Sequence, residues 1–227
     1  MGLCAYLVGM GTGNCMEIND MYEIVDLLEK LMDSALVEQI WIKYIGKLPN
    51  VSILNESKTV ARLSEQLSRD MGYSIKMSRQ IGIAAALHDA GKMLLAPEIV
   101  YKQSKLTPKE FEVIKTHTWL GANMLSNVHD DTNKLIQNVC LLHHEKWNGE
   151  GYMGIPSCCL PEYISIVAIV DVFVAALSKR SYKEAWTLDT ALGHIQQLSG
   201  SHFSHELVKT FLRFISGNKQ LQFLIAG

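Results

Sequence analysis

A chain of 227 residues with 48% hydrophobic and only 19% charged residues can bury a large core, which excludes a disordered polymer. Its formal charge of −2 excludes a broad basic surface for DNA, RNA or lipid, so an anionic ligand would need a local basic cluster. The five cysteines (Cys4, Cys15, Cys140, Cys158, Cys159) are odd in number and lack C-x-x-C spacing, the pattern of reduced thiols in a cytoplasmic protein.

Residues 1–17 read as irregular and glycine-rich, without a basic leader or a sustained apolar run, so neither a signal peptide nor a membrane span is expected. From Asn19 to Lys47, apolar residues recur at three-and-four spacing (Leu27, Leu28, Leu31, Leu36, Ile40, Trp41, Tyr44) and predict an amphipathic helix. Its stripe packs on the main domain in the simplest reading, with a homodimer seam or a docking face for a signalling partner as alternatives. Pro49 and Asn50 break the pattern, so a helical extension is expected over 1–50 and the main domain over 51–227. An amphipathic helix is expected from Thr59 to Met71 and an alanine-rich buried one from Met77 to Leu87. In TPKEFEVIKTHTWLGANML, Thr107 is placed to cap a helix, with Pro108 in the first turn and Glu110 completing a capping box. Asn133 to His144 reads as the next helix, followed by a glycine loop. ISIVAIVDVFVAAL (Ile164–Leu177) is apolar almost all round and predicts a central buried helix. Leu188–Leu198 and Ser204–Ile215 complete the pattern; alternating strands are nearly absent, and the fold class is all-α.

Asp171 sits midway along the most apolar helix, where an unpaired carboxylate is strongly unfavourable. It needs either a buried Arg or Lys or a metal ion. The metal reading gains from His88 and Asp89 in LHDAGK, His117 in KTHTWLG, placed within a helix, and His143 and His144 in LLHHE. Neighbouring residues diverge by about 100° on a helix, so such pairs serve one site only at a terminal turn or between two ions. The glycines after Asp89 and after His144 fit helix endings. Mixed imidazole and carboxylate ligands suit iron, manganese, nickel or zinc, and their number suits two ions rather than one. A carboxylate such as Asp89 would bridge them, and such sites hold an activated hydroxide for phosphoester hydrolysis.

The ordered series HD…K…H…HH…GYx…D resembles the HD-GYP subgroup of the HD phosphohydrolase superfamily, from about Asn55 to Val208. The resemblance rests on HDAGK, KLTPKEFEVIKTHTWLGANML, HHEKWNGEGYMGIP, IVAIVDVFVAALSKRSYKEAW and GSHFSHELV. It implies a helical bundle around a buried two-metal centre, commonly iron or manganese. The implied activity is a bacterial, cytoplasmic phosphodiesterase that opens cyclic di-GMP to linear pGpG and/or GMP. Carried over by motif, His88, Asp89 and Asp171 would hold one metal, and Asp89, His117, His143 and His144 the second. Lys92 would stabilise charge on the phosphate, Arg180 and Lys183 would bind substrate phosphates, and Tyr152 with Gly151 would line the substrate side.

Several positions depart from the family pattern. Glu56 stands where a histidine is usual; a carboxylate ligand and a solvent-facing glutamate are both open there. Met153 replaces the proline of GYP, which implies a looser loop. Asn148 and Ser165 replace a frequent aspartate and arginine, and Val174 replaces a second aspartate after Asp171, which argues against a third metal and against a full catalytic rate. The leading expectation is therefore a cyclic di-GMP phosphodiesterase. The alternatives are a weakly active or inactive cyclic di-GMP-binding module, or a phosphodiesterase for another cyclic dinucleotide.

Overall fold

The computed structural model describes residues 37–124, 131–178 and 185–218. All of them lie in one compact unit, Leu36–Gly227. Helix α1 covers 37–45 and ends at Gly46, whose φ of 81° suits glycine. Helix α2 is Val51–Asp70 and begins earlier than the expected Thr59. The reason is Asn50, read from the sequence as a breaker: its side-chain oxygen accepts the Ile53 N–H at 3.0 Å and caps the helix. Ser74 caps α3, Ile75–Leu87, in the same way. A 3-10 turn, Ala90–Leu94, and the short α4, Pro97–Val100, follow.

The TPKEF…NML stretch forms two helices rather than one: α5, Pro108–Lys115, and α6, His117–Met124, separated at Thr116. The capping box is present in full. Thr107 Oγ1 accepts the Glu110 N–H at 3.3 Å, and Glu110 Oε2 accepts the Thr107 N–H at 2.7 Å. Helix α7 is Asp131–Leu142, so His143 and His144 lie just past its end rather than within it. A 3-10 turn, Ser157–Cys159, leads into α8, Glu162–Leu177; α9, Leu188–Gln197, and α10, His205–Gly217, complete the fold. No strand occurs among the described residues beyond one isolated bridge between Ser199 and Phe203.

Helix α8 is apolar on nearly every side because it is surrounded: α2, α7 and α9 all pack against it, while α3 joins α2 to α7. Phe173 of α8 meets Phe211 of α10 edge to face at 5.1 Å, and both are fully buried with Trp41 and Phe203. Trp41, Val37 and Ile40 place α1 in this core, although the expected division at residue 50 assigns it to an extension. The dimer-or-docking expectation also concerns residues 19–36, which lie outside the described residues. No helix among the described residues is long and apolar enough to cross a membrane.

Candidate metal centre

Three helix ends and one helix middle build the site. Helix α3 stops at Leu87 and delivers His88 and Asp89 into the 3-10 turn. His117 opens α6, α7 releases His143 and His144, and α8 carries Asp171. Asp89 is central: its Oδ1 lies 3.2 Å from His117 Nε2 and 3.9 Å from His143 Nε2, and its Oδ2 lies 3.4 Å from His88 Nε2. Asp171 Oδ1 is 3.4 Å from the same His88 nitrogen. The Asp171 side chain is 20% exposed, so it is partly open to solvent rather than sealed in the core, as its sequence setting suggested.

The turn must come close to α6 for these atoms to meet, and Gly91 permits it. A Cβ on Gly91 would stand 1.9 Å from the His117 carbonyl oxygen. The sequence reading of this glycine as a helix ending is therefore corrected: it lies inside the 3-10 turn and serves close backbone approach.

Each deep histidine is oriented by a backbone carbonyl. Nδ1 of His88 donates to Ala85 O at 2.7 Å, that of His117 to Ile114 O at 2.6 Å, and that of His143 to Val139 O and Cys140 O at 2.9 and 3.0 Å. A carbonyl only accepts, so Nδ1 carries the proton and Nε2 of a neutral ring presents a lone pair. His117 Nε2 and His143 Nε2 then face each other at 3.3 Å. Two lone pairs at that distance repel, as they do toward Asp89, unless a cation lies among them. His88 Nε2 and Asp89 Oδ1 are moreover buried without a hydrogen-bond partner. These orphaned donor atoms fit a divalent metal centre with oriented imidazoles.

The electrostatics favour a cation as well. Burial opposes a charge on His88, but Asp89 and Asp171 outweigh it and push its pKa well above the ordinary histidine value. Burial likewise opposes ionised Asp89, yet Lys92 and His88 hold it well below the usual carboxylate range. His143 and His144 go the other way: burial lowers both, His144 to about 4, which keeps their lone pairs available. Two ligand groups result, His88–Asp89–His143 and His117–His143–His144, with ligand atoms within 4.8 Å of one another in each. His143 is common to both, whereas the motif carry-over made Asp89 the shared residue.

Glu145 is a residue that sequence reasoning missed. Its buried carboxylate accepts the Met153 N–H at 2.7 Å and the Ile155 N–H at 2.8 Å, tying the glycine loop back onto the site. Gly151 passes so close that a Cβ would lie 2.7 Å from Glu145 Oε2. A charged residue directly after two histidines and before a glycine-rich loop was the available signal. The bond also corrects the reading of Met153: a proline would lack the N–H that Glu145 accepts, so methionine adds a tether here. Its side chain is 55% exposed. The loop sets the Tyr152 ring 4.5 Å from that of His144, and burial, with Asp89 and Asp171, raises the Tyr152 hydroxyl to about 12.

Lys92 pairs with Asp89 Oδ2. Glu56, half-buried on α2, belongs to neither ligand group. Arg180 and Lys183 lie outside the described residues. Val174, one turn after Asp171, is buried in the core.

An all-α bundle gathers histidines and aspartates from three helix ends and the middle of α8 into one cluster that fits a divalent metal centre. The chain belongs to the HD domain family, with residues 45–207 matched. Among curated relatives, a cyclic di-GMP phosphodiesterase of Thermotoga maritima is 38% identical over 158 residues, covering 69% of this chain and 43% of the relative. The cyclic di-GMP phosphodiesterase response regulator RpfG of Xanthomonas campestris is 37% identical over 157 residues, covering 69% and 41%. The chain thus spans less than half the length of these relatives. A solved structure of an HDG"Y"P protein from Bdellovibrio bacteriovorus shares the fold with a TM-score of 0.59 at 17% identity, covering 72% of this chain and 52% of that one.

Proposed function

We propose that this domain is a metal-dependent phosphodiesterase of the HD-GYP subgroup that hydrolyses cyclic di-GMP to pGpG and/or GMP. The observation that carries the reading is the convergence of three carbonyl-oriented Nε2 atoms, those of His88, His117 and His143, on the Asp89 carboxylate. Two ions, iron first and manganese next, suit the mixed nitrogen and oxygen donors, with nickel or zinc fitting less well. His88, Asp89, His117, His143, His144 and Asp171 would hold them, and bound metal would supply an activated water and neutralise phosphate charge. Lys92, beside Asp89, is positioned to share its charge with a phosphate oxygen. The Tyr152 hydroxyl keeps its proton at neutral pH and can donate to the substrate. Arg180 and Lys183 belong to the same proposal as phosphate contacts, and Glu56 as a further ligand. A cytoplasmic location goes with this reading, supported by the free thiols of Cys140, Cys158 and Cys159.

The test is metal analysis of anaerobically purified protein coupled to cyclic di-GMP turnover. Two ions per chain and formation of pGpG or GMP are expected. Metal-loaded protein that leaves cyclic di-GMP intact under both aerobic and anaerobic conditions would falsify the reading. The buried Val174 favours a second reading, a cyclic di-GMP-binding module with little turnover, because no second α8 carboxylate stands one turn from Asp171. Tight binding without product would select it.

A further inference from the structure

Helix α5 has no core to serve. None of its residues is buried, although it carries Phe111, Val113 and Ile114. It is held at its ends: the capping box and Lys102, which donates to both Glu110 oxygens at 2.7 and 2.6 Å, fix the start, and His117 follows its end. Phe111 is left 45% exposed, edge-on to Tyr152 with ring centroids 6.1 Å apart. Lys115 Nζ lies 5.7 Å from each of these two rings. Tyr152 in turn borders His144, so aromatic surface and one cation run outward without a break from the metal centre.

An open aromatic pair with a cation between its rings suits a flat, electron-rich ring attached to an anion. Nucleobases stack on such platforms in a way that tolerates base identity, and the ammonium complements the neighbouring phosphate. Lys115 also pairs with Glu112 at 2.8 Å, but Glu112 is well exposed and such a surface pair contributes little, so phosphate can replace it.

We propose that Phe111, Lys115 and Tyr152 form a nucleotide-binding rim: a base of the cyclic dinucleotide packs on Phe111 beside Tyr152, and Lys115 takes the phosphate that is not cleaved. The proposal rests on the phosphodiesterase reading and adds the surface that recognises the substrate. The experiment measures KM and kcat for cyclic di-GMP in metal-loaded wild type, Phe111→Ala, Phe111→Tyr and Lys115→Met, with metal content determined for each. Loss of one base–aromatic contact raises KM about 5- to 150-fold in Phe111→Ala. Phe111→Tyr restores it, Lys115→Met raises KM at least several-fold, and metal content stays at the wild-type level in all three. Wild-type KM in Phe111→Ala and Lys115→Met overturns the rim while leaving the phosphodiesterase intact. If wild type binds cyclic di-GMP without cleaving it, equilibrium Kd values for the same panel carry the same expectation. Wild type that neither cleaves nor binds cyclic di-GMP overturns both readings.

Discussion

Replacing Gly91 with alanine tests whether the approach of the 3-10 turn to α6 makes the site. The added Cβ would meet His117 O at 1.9 Å, Gly121 N at 2.6 Å and the His117 carbonyl carbon at 2.8 Å. All three are backbone atoms, so no side-chain rotation relieves the clash. Opening the gap from 1.9 Å to an ordinary contact at 3.4 Å moves the turn by about 1.5 Å. That movement carries Asp89 away from His117 Nε2, now 3.2 Å from its Oδ1. Overpacking of this kind costs about 1–3 kcal/mol, a Tm fall of roughly 3–10 °C for a domain of this size. Misplacement by about 1 Å also costs on the order of 100-fold in rate. Thermal melts with metal titration followed by turnover measure both effects. Gly193→Ala is the matched control, because nothing lies within 4 Å of a Cβ there and the residue sits inside α9. It should hold or raise Tm through helix propensity. Gly91→Ala with wild-type Tm and metal affinity would refute the reasoning.

His143→Ala removes the ligand common to both groups and should leave the purified protein without stoichiometric metal, whereas His144→Ala should retain one ion per chain; elemental analysis separates them, and equal losses would contradict the shared role. Met153→Pro removes the N–H that Glu145 accepts, leaving a buried carboxylate one bond short, and should destabilise the domain by about 1–3 kcal/mol in urea unfolding. An unchanged midpoint would show that the loop is held by other contacts. Glu110 is held at about 2, below its ordinary 4.5, by Lys102 and by Thr107. A depressed carboxylate stabilises the fold above pH 4.5, and that contribution is lost as pH falls toward 2. The Tm gap between wild type and Glu110→Gln should therefore narrow from pH 7 to pH 3, and a gap that widens refutes the assignment.

What the sequence made legible is what depends on near neighbours. The capping box around Thr107 is a four-residue pattern, and the all-round apolarity of α8 reports its burial directly. The clustered histidines and Asp89 stood out in the sequence because histidines and aspartates beside apolar helices have few other uses, whereas Glu56 belongs to neither ligand group and Arg180 and Lys183 lie outside the described residues. Distant approach was not legible. Gly91 is small because His117 O lies over it, and Glu145 is buried because the loop returns through Met153 and Ile155. The break at Thr116 was hidden for a related reason. Apolar spacing continues through it, while the chain turns there so that His117 faces Asp89.

That turn follows a rule used three times. His88, His117 and His143 each donate Nδ1–H to a carbonyl in the last turn of the preceding helix: Ala85 in α3, Ile114 in α5, and Val139 with Cys140 in α7. Last-turn carbonyls lie where a helix runs out of intrahelical donors, so each bond lies at a helix end and selects the tautomer that exposes Nε2. The same geometry brings three helix C-termini, each with partial negative charge, to the edge of one pocket. Asp89 and Asp171 add full charges to that field. A histidine one position past the last helical residue, as in His88 and His143, therefore both ends its helix and turns its free nitrogen toward the place most favourable to a cation. His144, the next residue, cannot repeat the bond in the same direction. Its ring instead tilts against His143 at 4.1 Å and faces Tyr152, so the pair divides into one imidazole within the deep cluster and one against the glycine loop.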